Sequence, residues 1–226
     1  MPSVTTIGQI VHKQALVNWL QETAAMEAGT DIQKIQSYGG AMPVFDRPWA
    51  KKVVAAAREK TFAKADAGSE IHDILEQYFA DYYANRSNQD TALCDSVHKS
   101  IAAVTKSQSW IPERSFANAE HGYAGKCDLH SPDWVIDFKT KDGSVEKVRG
   151  YQNQAEQLAA YAVGLGIPNA RLANVFISRD RELWGKPEGV SFFEHKDDNA
   201  WNRFKAQLEL WQITKKFGPA YDRLNK

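Results

Sequence analysis

The sequence predicts an α/β domain built on a mixed β-sheet, and three observations predict it. Residues 110–119, 123–130 and 134–140 are strand-like runs in succession, bent or separated by Gly122, Gly125 and a Ser131-Pro132-Asp133 turn. Helical periodicity precedes and follows them. After the next helical stretch, the mostly apolar run 172–178 (LANVFIS) suits a buried strand. Several helices, three strands, a helix, further strands and a helix give a mixed sheet, not a doubly wound alternation from the start.

The elements follow in order. Residues 10–28 read as a helix, with Ile10, Leu16, Trp19, Leu20 and Ala24 on one stripe. Gly29, Gly39, Gly40 and Pro43 place a loop or a broken helix over 28–46. Pro48 suits the first turn of a second helix over 48–64. A third helix starts near Ala67 and Gly68 and runs to Asn85, its apolar face made of Ile71, Ile74, Leu75, Tyr78 and Tyr82. A fourth covers 91–106, with Leu93, Val97, Ile101 and Val104 three and four apart. Residues 151–165 return to helix, 189–194 form a further strand, and 199–216 form a last helix striped by Trp201, Phe204, Leu208 and Trp211. There is no internal repeat or long linker, so residues 1–226 are expected to be one domain. Its parts are a helical N-terminal region (1–65), a core (66–180) and a C-terminal strand and helix (181–226).

Composition narrows the function classes. The 226 residues can bury a core without staples, and Cys94 and Cys127 are too few for a disulfide scaffold or a cysteine-rich zinc or iron–sulfur site. No stretch reaches the roughly 18 apolar residues that span a bilayer. Met1 to Thr6 lack the charged and apolar regions of a signal peptide, so a soluble cytoplasmic protein is expected. Lys+Arg and Asp+Glu balance at 28 each, which excludes a globally basic nucleic-acid binder but not a locally basic one. It also predicts weak non-specific DNA affinity.

The residues that carry chemistry lie in Gly125-Lys126-Cys127-Asp128 and Val135-Ile136-Asp137-Phe138-Lys139-Thr140. Strand alternation turns Trp134, Ile136 and Phe138 into apolar packing and puts Asp137 and Lys139 side by side on the other face. A hairpin through the Ser-Pro-Asp turn brings Asp128 close to Asp137. Two carboxylates and a lysine on one face suit a hard divalent cation such as magnesium, which takes oxygen ligands. The lysine would then deprotonate an attacking water or hold the developing charge. The plainer alternative is a solvated strand face beside an unrelated turn aspartate.

Four pieces in order resemble the PD-(D/E)XK nuclease superfamily, and within it the RecB-like exonucleases, over about residues 65–165. They are Gly68-Ser69-Glu70-Ile71-His72, Glu113-Arg114-Ser115-Phe116, the Gly125-x-x-Asp128 and Asp137-x-Lys139 pair, and Gln157-Leu158-Ala159-Ala160-Tyr161. The order is also similar to phage exonucleases and to the mitochondrial genome-maintenance exonuclease. The Lys13 to Trp19 segment loosely resembles their N-terminal helix.

The resemblance implies a restriction-endonuclease-like core and magnesium- or manganese-dependent hydrolysis of DNA by one or two ions, leaving 3′-hydroxyl and 5′-phosphate ends. It implies Asp128, Asp137, the Phe138 carbonyl and His72 around the metal, with Lys139 as the catalytic lysine. His72 would bind the metal or orient a water on it; Glu76, one turn on, would hydrogen-bond its ring or be an exposed helix acid. Glu113 would hold a metal-bound water and is preferred over Glu120. Gln157 and Tyr161 share one helix face and would support the lysine, a water or the DNA backbone.

Arg47, Lys51, Lys52 and Arg58, in the most basic stretch, read as phosphate contacts or as a solvated helix face. Trp49 beside them would stack on a base or pack in a core. His98, His121, His130 and His195 have no partner at a recognisable ligand spacing. With no P-loop there is no motor of the chain's own. The expected setting is phage or bacterial replication, recombination or repair, in the host cytoplasm if phage-encoded, with DNA as substrate and a single-strand annealing protein as a partner. The rival readings are an endonuclease of the same superfamily and a catalytically silent DNA-binding module.

Overall fold

The computed structural model describes residues 1–38, 44–81, 91–106 and 109–225, without the side chains of 11–19, 60–65 and 81. The expected loop residues Gly39, Gly40 and Pro43, the helix residues Tyr82 and Asn85, and the side chains of Lys13, Leu16, Trp19, Lys60 and Lys64 lie outside the described residues. The elements are α1 (Val4–Ser37), α2 (Arg47–Asp81), α3 (Thr91–Ala102), β1 (Ile111–Asn118), β2 (Tyr123–Ser131), β3 (Trp134–Lys141), α4 (Gln152–Gly164), β4 (Arg171–Ser178), β5 (Val190–His195), α5 (Ala200–Lys215) and α6 (Pro219–Leu224). Two single-turn 3-10 helices, Arg181–Leu183 and Pro187–Gly189, lie between β4 and β5.

The chain forms two compact units: Met1–Ile10 with Gly68–Lys226, and Val11–Ala67. The first holds a five-stranded sheet in the order β1-β2-β3-β4-β5. Its pairs are antiparallel except β3 with β4, which are parallel. That parallel pair needs a crossover, and α4 supplies it. The fold is therefore α/β, a five-stranded mixed sheet flanked by helices. Among the described residues no helix is long and apolar enough to cross a membrane.

Alternation along β3 distributes its side chains between two cores. Trp134, Ile136 and Phe138 join Ile71, Leu75 and Phe79 of α2 and Leu93, Val97 and Ile101 of α3. Val135 joins Val4 and Ile7 of α1, Leu158 and Tyr161 of α4, and Phe204 and Leu208 of α5. Leu75 is fully buried in the first core. Leu75→Ala should cost about 2–5 kcal/mol, read as a lower urea midpoint at an unchanged slope.

Two expectations are corrected. The first helix does not end at residue 28, and the second and third are one continuous helix, α2. Gly29 falls in the expected loop or broken helix and Gly68 at the expected start of the third helix, yet a helical glycine costs only about 1 kcal/mol relative to alanine. Alanine-rich flanks outweigh that cost around Gly68. Gly68 also fills a packing need, because a Cβ there would lie 3.0 Å from the Thr140 hydroxyl at the end of β3.

The second unit consists of α1 from Val11 and α2 up to Ala67. Asp31 accepts hydrogen bonds from the Trp49 indole (3.1 Å) and the Lys52 ammonium (3.2 Å), tying the two helices together. These two donors hold the Asp31 carboxyl below its ordinary pKa.

Candidate active site

The β2–β3 hairpin closes through Ser131 and Trp134, with Leu129 opposite Ile136. Beyond that pair Asp128 leaves the ladder and uses its carboxylate instead: Oδ2 accepts the Phe138 backbone N–H at 2.8 Å. On its other side, β1 pairs Pro112 with Leu129 and Arg114 with Cys127, and Glu113 between them stands outside the ladder. Glu113 has φ 51°, a left-handed conformation that a residue with a Cβ rarely adopts. The pleat of β2 breaks at the same level, since Cys127 and Leu129, two apart, enter different cores. The irregularity delivers two carboxylates to one place.

His72 completes the cluster from α2, its Nδ1 lying 3.4 Å from Asp128 Oδ2. Ligand atoms of His72, Glu113 and Asp128 all lie within 4.8 Å of one another. The Phe138 carbonyl accepts a hydrogen bond from the His72 ring. Lys126 pairs with Glu113, which with the neighbouring Glu76 and Asp128 raises the lysine's pKa. Burial lowers the His72 pKa against the pull of Asp137, which favours a neutral imidazole able to act as a ligand.

Asp137 lies outside that triad and is 2 % exposed. Lys139 Nζ contacts its Oδ1 at 3.0 Å and its Oδ2 at 2.7 Å. Gln157 donates to Oδ1 at 3.1 Å, while its own carbonyl faces Lys139 Nζ at 3.5 Å and its amide faces the Tyr161 hydroxyl at 2.7 Å. Burial works against the Lys139 ammonium, but the charge and hydrogen bond of Asp137 outweigh it, and its pKa stands above the ordinary value. Burial, followed by the charge of Asp137, raises the Tyr161 phenol, so it remains a hydroxyl at neutral pH.

The sequence-predicted residues thus gather into two touching groups. Asp128, His72, Glu113 and the Phe138 carbonyl form one; Asp137, Lys139, Gln157 and Tyr161 form the other. Glu113, expected to act through a water, sits among the ligand atoms themselves. Glu120 is an exposed turn residue whose carboxylate lies 3.9 Å from His121. Arg47, Lys51, Lys52 and Arg58 are exposed on α2 in the second unit, and Lys52 pairs with Asp31. Trp49 packs edge-on against Phe45 and bonds Asp31.

The sequence reading missed Asn174 and His195. Asn174 of β4 is directly opposite Asp137 in the parallel register and fully buried, and it donates to the Asp137 carboxylate and carbonyl. Its signal was an asparagine inside the apolar run 172–178.

Burial and the nearby Asp137 charge push the Asp128 carboxyl well above the usual carboxylate range. A raised carboxyl pKa means the fold prefers the neutral acid. The stability Asp128 contributes is therefore present below its unfolded pKa and lost as pH rises through its folded value. In EDTA, the melting temperature of the wild type should fall relative to Asp128→Asn as pH rises from about 4 to about 8. A divalent cation held at Asp128 would compete with that proton, so its stabilisation should grow over the same range, reaching about 2.7 kcal/mol at 100 times Kd. Melting curves at several pH values, with and without magnesium, check both.

No family model matches the chain, and no curated protein does. Among solved structures it is similar to the crystal structure of SSO0001, at 12% identity, covering 62% of this chain and 85% of that chain, with a TM-score of 0.30.

Proposed function

We propose that this chain is a magnesium- or manganese-dependent deoxyribonuclease of the PD-(D/E)XK type, acting as an exonuclease in phage or bacterial DNA replication, recombination or repair. The observation that carries the reading is the convergence of Asp128, Glu113 and His72 beside an Asp137–Lys139 pair on the same hairpin. The β-hairpin, crossover helix and parallel fourth strand are compatible with the restriction-endonuclease-like core that the motifs imply.

The donor set fits a hard cation. Carboxylate oxygens and one neutral imidazole converge, and burial with the nearby Asp137 charge raises the Asp128 pKa, a cost that a bound cation would offset. Asp128, Glu113 and His72 would hold the ion, with Asp137 and the Phe138 carbonyl beside them. Such an ion supplies a water of lowered pKa and neutralises charge on a phosphate oxygen. Lys139, which Asp137 keeps protonated, presents an ammonium to the charge that develops on the phosphate. Gln157 bridges Lys139 and Asp137 and keeps both in place, and Tyr161 fixes Gln157. Water oxygen bonds to phosphorus as the bond to the 3′-oxygen breaks, giving a 3′-hydroxyl and a 5′-phosphate.

The test uses end-labelled linear DNA and a covalently closed circle, each with magnesium, manganese or EDTA. Degradation of the linear substrate in either metal, with the circle intact, is the expected result. Cutting of the circle would make the enzyme an endonuclease of the same superfamily. Binding without cleavage in either metal would make it a silent DNA-binding module.

A further inference from the structure

We propose that Asn174 and His195 are positioning residues for Asp137, forming a hydrogen-bond chain of fixed polarity from β5 through β4 to β3. The proposal rests on the nuclease reading and deepens it. Asn174 Nδ2 lies 2.7 Å from Asp137 Oδ2 and 3.0 Å from the Asp137 carbonyl oxygen. A carboxylate and a carbonyl only accept, so the amide orientation is determined: nitrogen toward Asp137, oxygen away from it. That oxygen, Oδ1, lies 2.7 Å from His195 Nε2. It only accepts as well, so Nε2 must carry the hydrogen. The neutral Nε2–H tautomer and the imidazolium both have that hydrogen, so the chain persists in either charge state of the ring.

The surroundings fit such a chain. Asn174 is fully buried, where an unpaired amide costs heavily, and both its polar ends are used. A Cβ on Gly150 would stand 2.3 Å from His195 Cε1 and 2.7 Å from Nε2, so the absent side chain leaves room for the ring. Phe193 braces the ring edge-on at a centroid distance of 5.0 Å. Lys139 and Gln157 hold Asp137 from one side, and Asn174 holds it from within the sheet. Asp137 thereby has one carboxylate orientation before any substrate arrives, which is how supporting hydrogen bonds tune a metal-site acid.

The test measures kcat and KM on linear DNA and, separately, manganese affinity by calorimetry. The variants are Asn174→Asp, Asn174→Ala, His195→Ala, His195→Gln and the Asn174→Ala/His195→Ala double. Asn174→Asp keeps the shape, removes the donor and adds a charge. It should lower kcat about 100-fold with little change in KM, and weaken manganese binding about 10-fold. His195→Ala should lower kcat about 10-fold, while His195→Gln, whose amide can still donate to Asn174, should restore it to within about 2-fold. The double variant should be no worse than Asn174→Ala, because His195 acts through Asn174.

Wild-type kcat and manganese affinity in Asn174→Asp, or losses that multiply in the double variant, would overturn the proposal. Should Asn174→Asp fail to fold by circular dichroism, the two His195 variants decide: equal activity in Ala and Gln overturns the chain. Activity lost in Asp137→Ala but kept in Asn174→Asp sinks this inference alone. A wild type that cleaves no DNA sinks the nuclease reading, and the manganese titrations still decide whether Asn174 shapes Asp137.

Discussion

Asp137→Ala and Lys139→Ala should each lose about 1,000-fold or more of the magnesium-dependent cleavage of linear DNA, with substrate binding largely kept. The two side chains touch each other, so neither substitution is electrostatically innocent. Asp137→Ala leaves a half-buried ammonium without its main partner, and Lys139→Ala leaves a carboxylate that is 2 % exposed without its cation. Removing one partner of a buried pair costs about 3–5 kcal/mol, so both variants should also melt earlier. The double variant Asp137→Asn/Lys139→Met, which keeps the volume and leaves no unpaired charge, separates the two effects. It should recover much of the melting temperature and none of the activity. Recovered activity in Lys139→Met would show that no ammonium is needed at the reacting phosphate.

The second large effect is expected at Asp128. Asp128→Asn retains a carbonyl oxygen to accept the Phe138 N–H but removes the charge that a cation would meet beside His72 and Glu113. Since loss of a merely supporting hydrogen bond costs about 10–100-fold in metal affinity, loss of this charge should cost at least about 100-fold. Stability should move the other way. In EDTA near neutral pH the variant should be more stable than the wild type, because it removes an acid whose folded pKa is held above its unfolded value by burial and by Asp137. Weaker manganese binding together with a higher melting temperature is the signature of a residue kept for function at the expense of stability. Calorimetry and a thermal melt on the same sample read both.

The sheet was the most legible part of the sequence. The run 134–140 became Trp134–Lys141, and 172–178 became Arg171–Ser178, because period-two alternation is a strong local signal. That alternation also placed Asp137 and Lys139 together on one face, where their side chains meet. Helix boundaries at the N-terminal end were poorly legible. Gly29 and Gly68 look like stops, and only the approach of Thr140 reveals that Gly68 serves packing. The short α6 was not anticipated, and the sequence offers only Gly218-Pro219 as its signal.

At the site, the limit was strand order. Nothing local pairs Asn174 with Asp137, 37 residues apart; only the parallel register does. His195 is one strand further away, so no spacing rule reaches it. Glu113 was legible as an acid near a strand, but its left-handed backbone, which brings it to His72 and Asp128, was not.

The most direct measurement of the central claim is product analysis on linear DNA with magnesium, comparing the wild type with Asp137→Asn. The wild type should release 5′-phosphorylated nucleotides progressively from the ends, stop on addition of EDTA, and resume with excess magnesium, while Asp137→Asn releases none. Equal release by both proteins, or release that persists in EDTA, would contradict a metal-dependent site at Asp128 and Asp137.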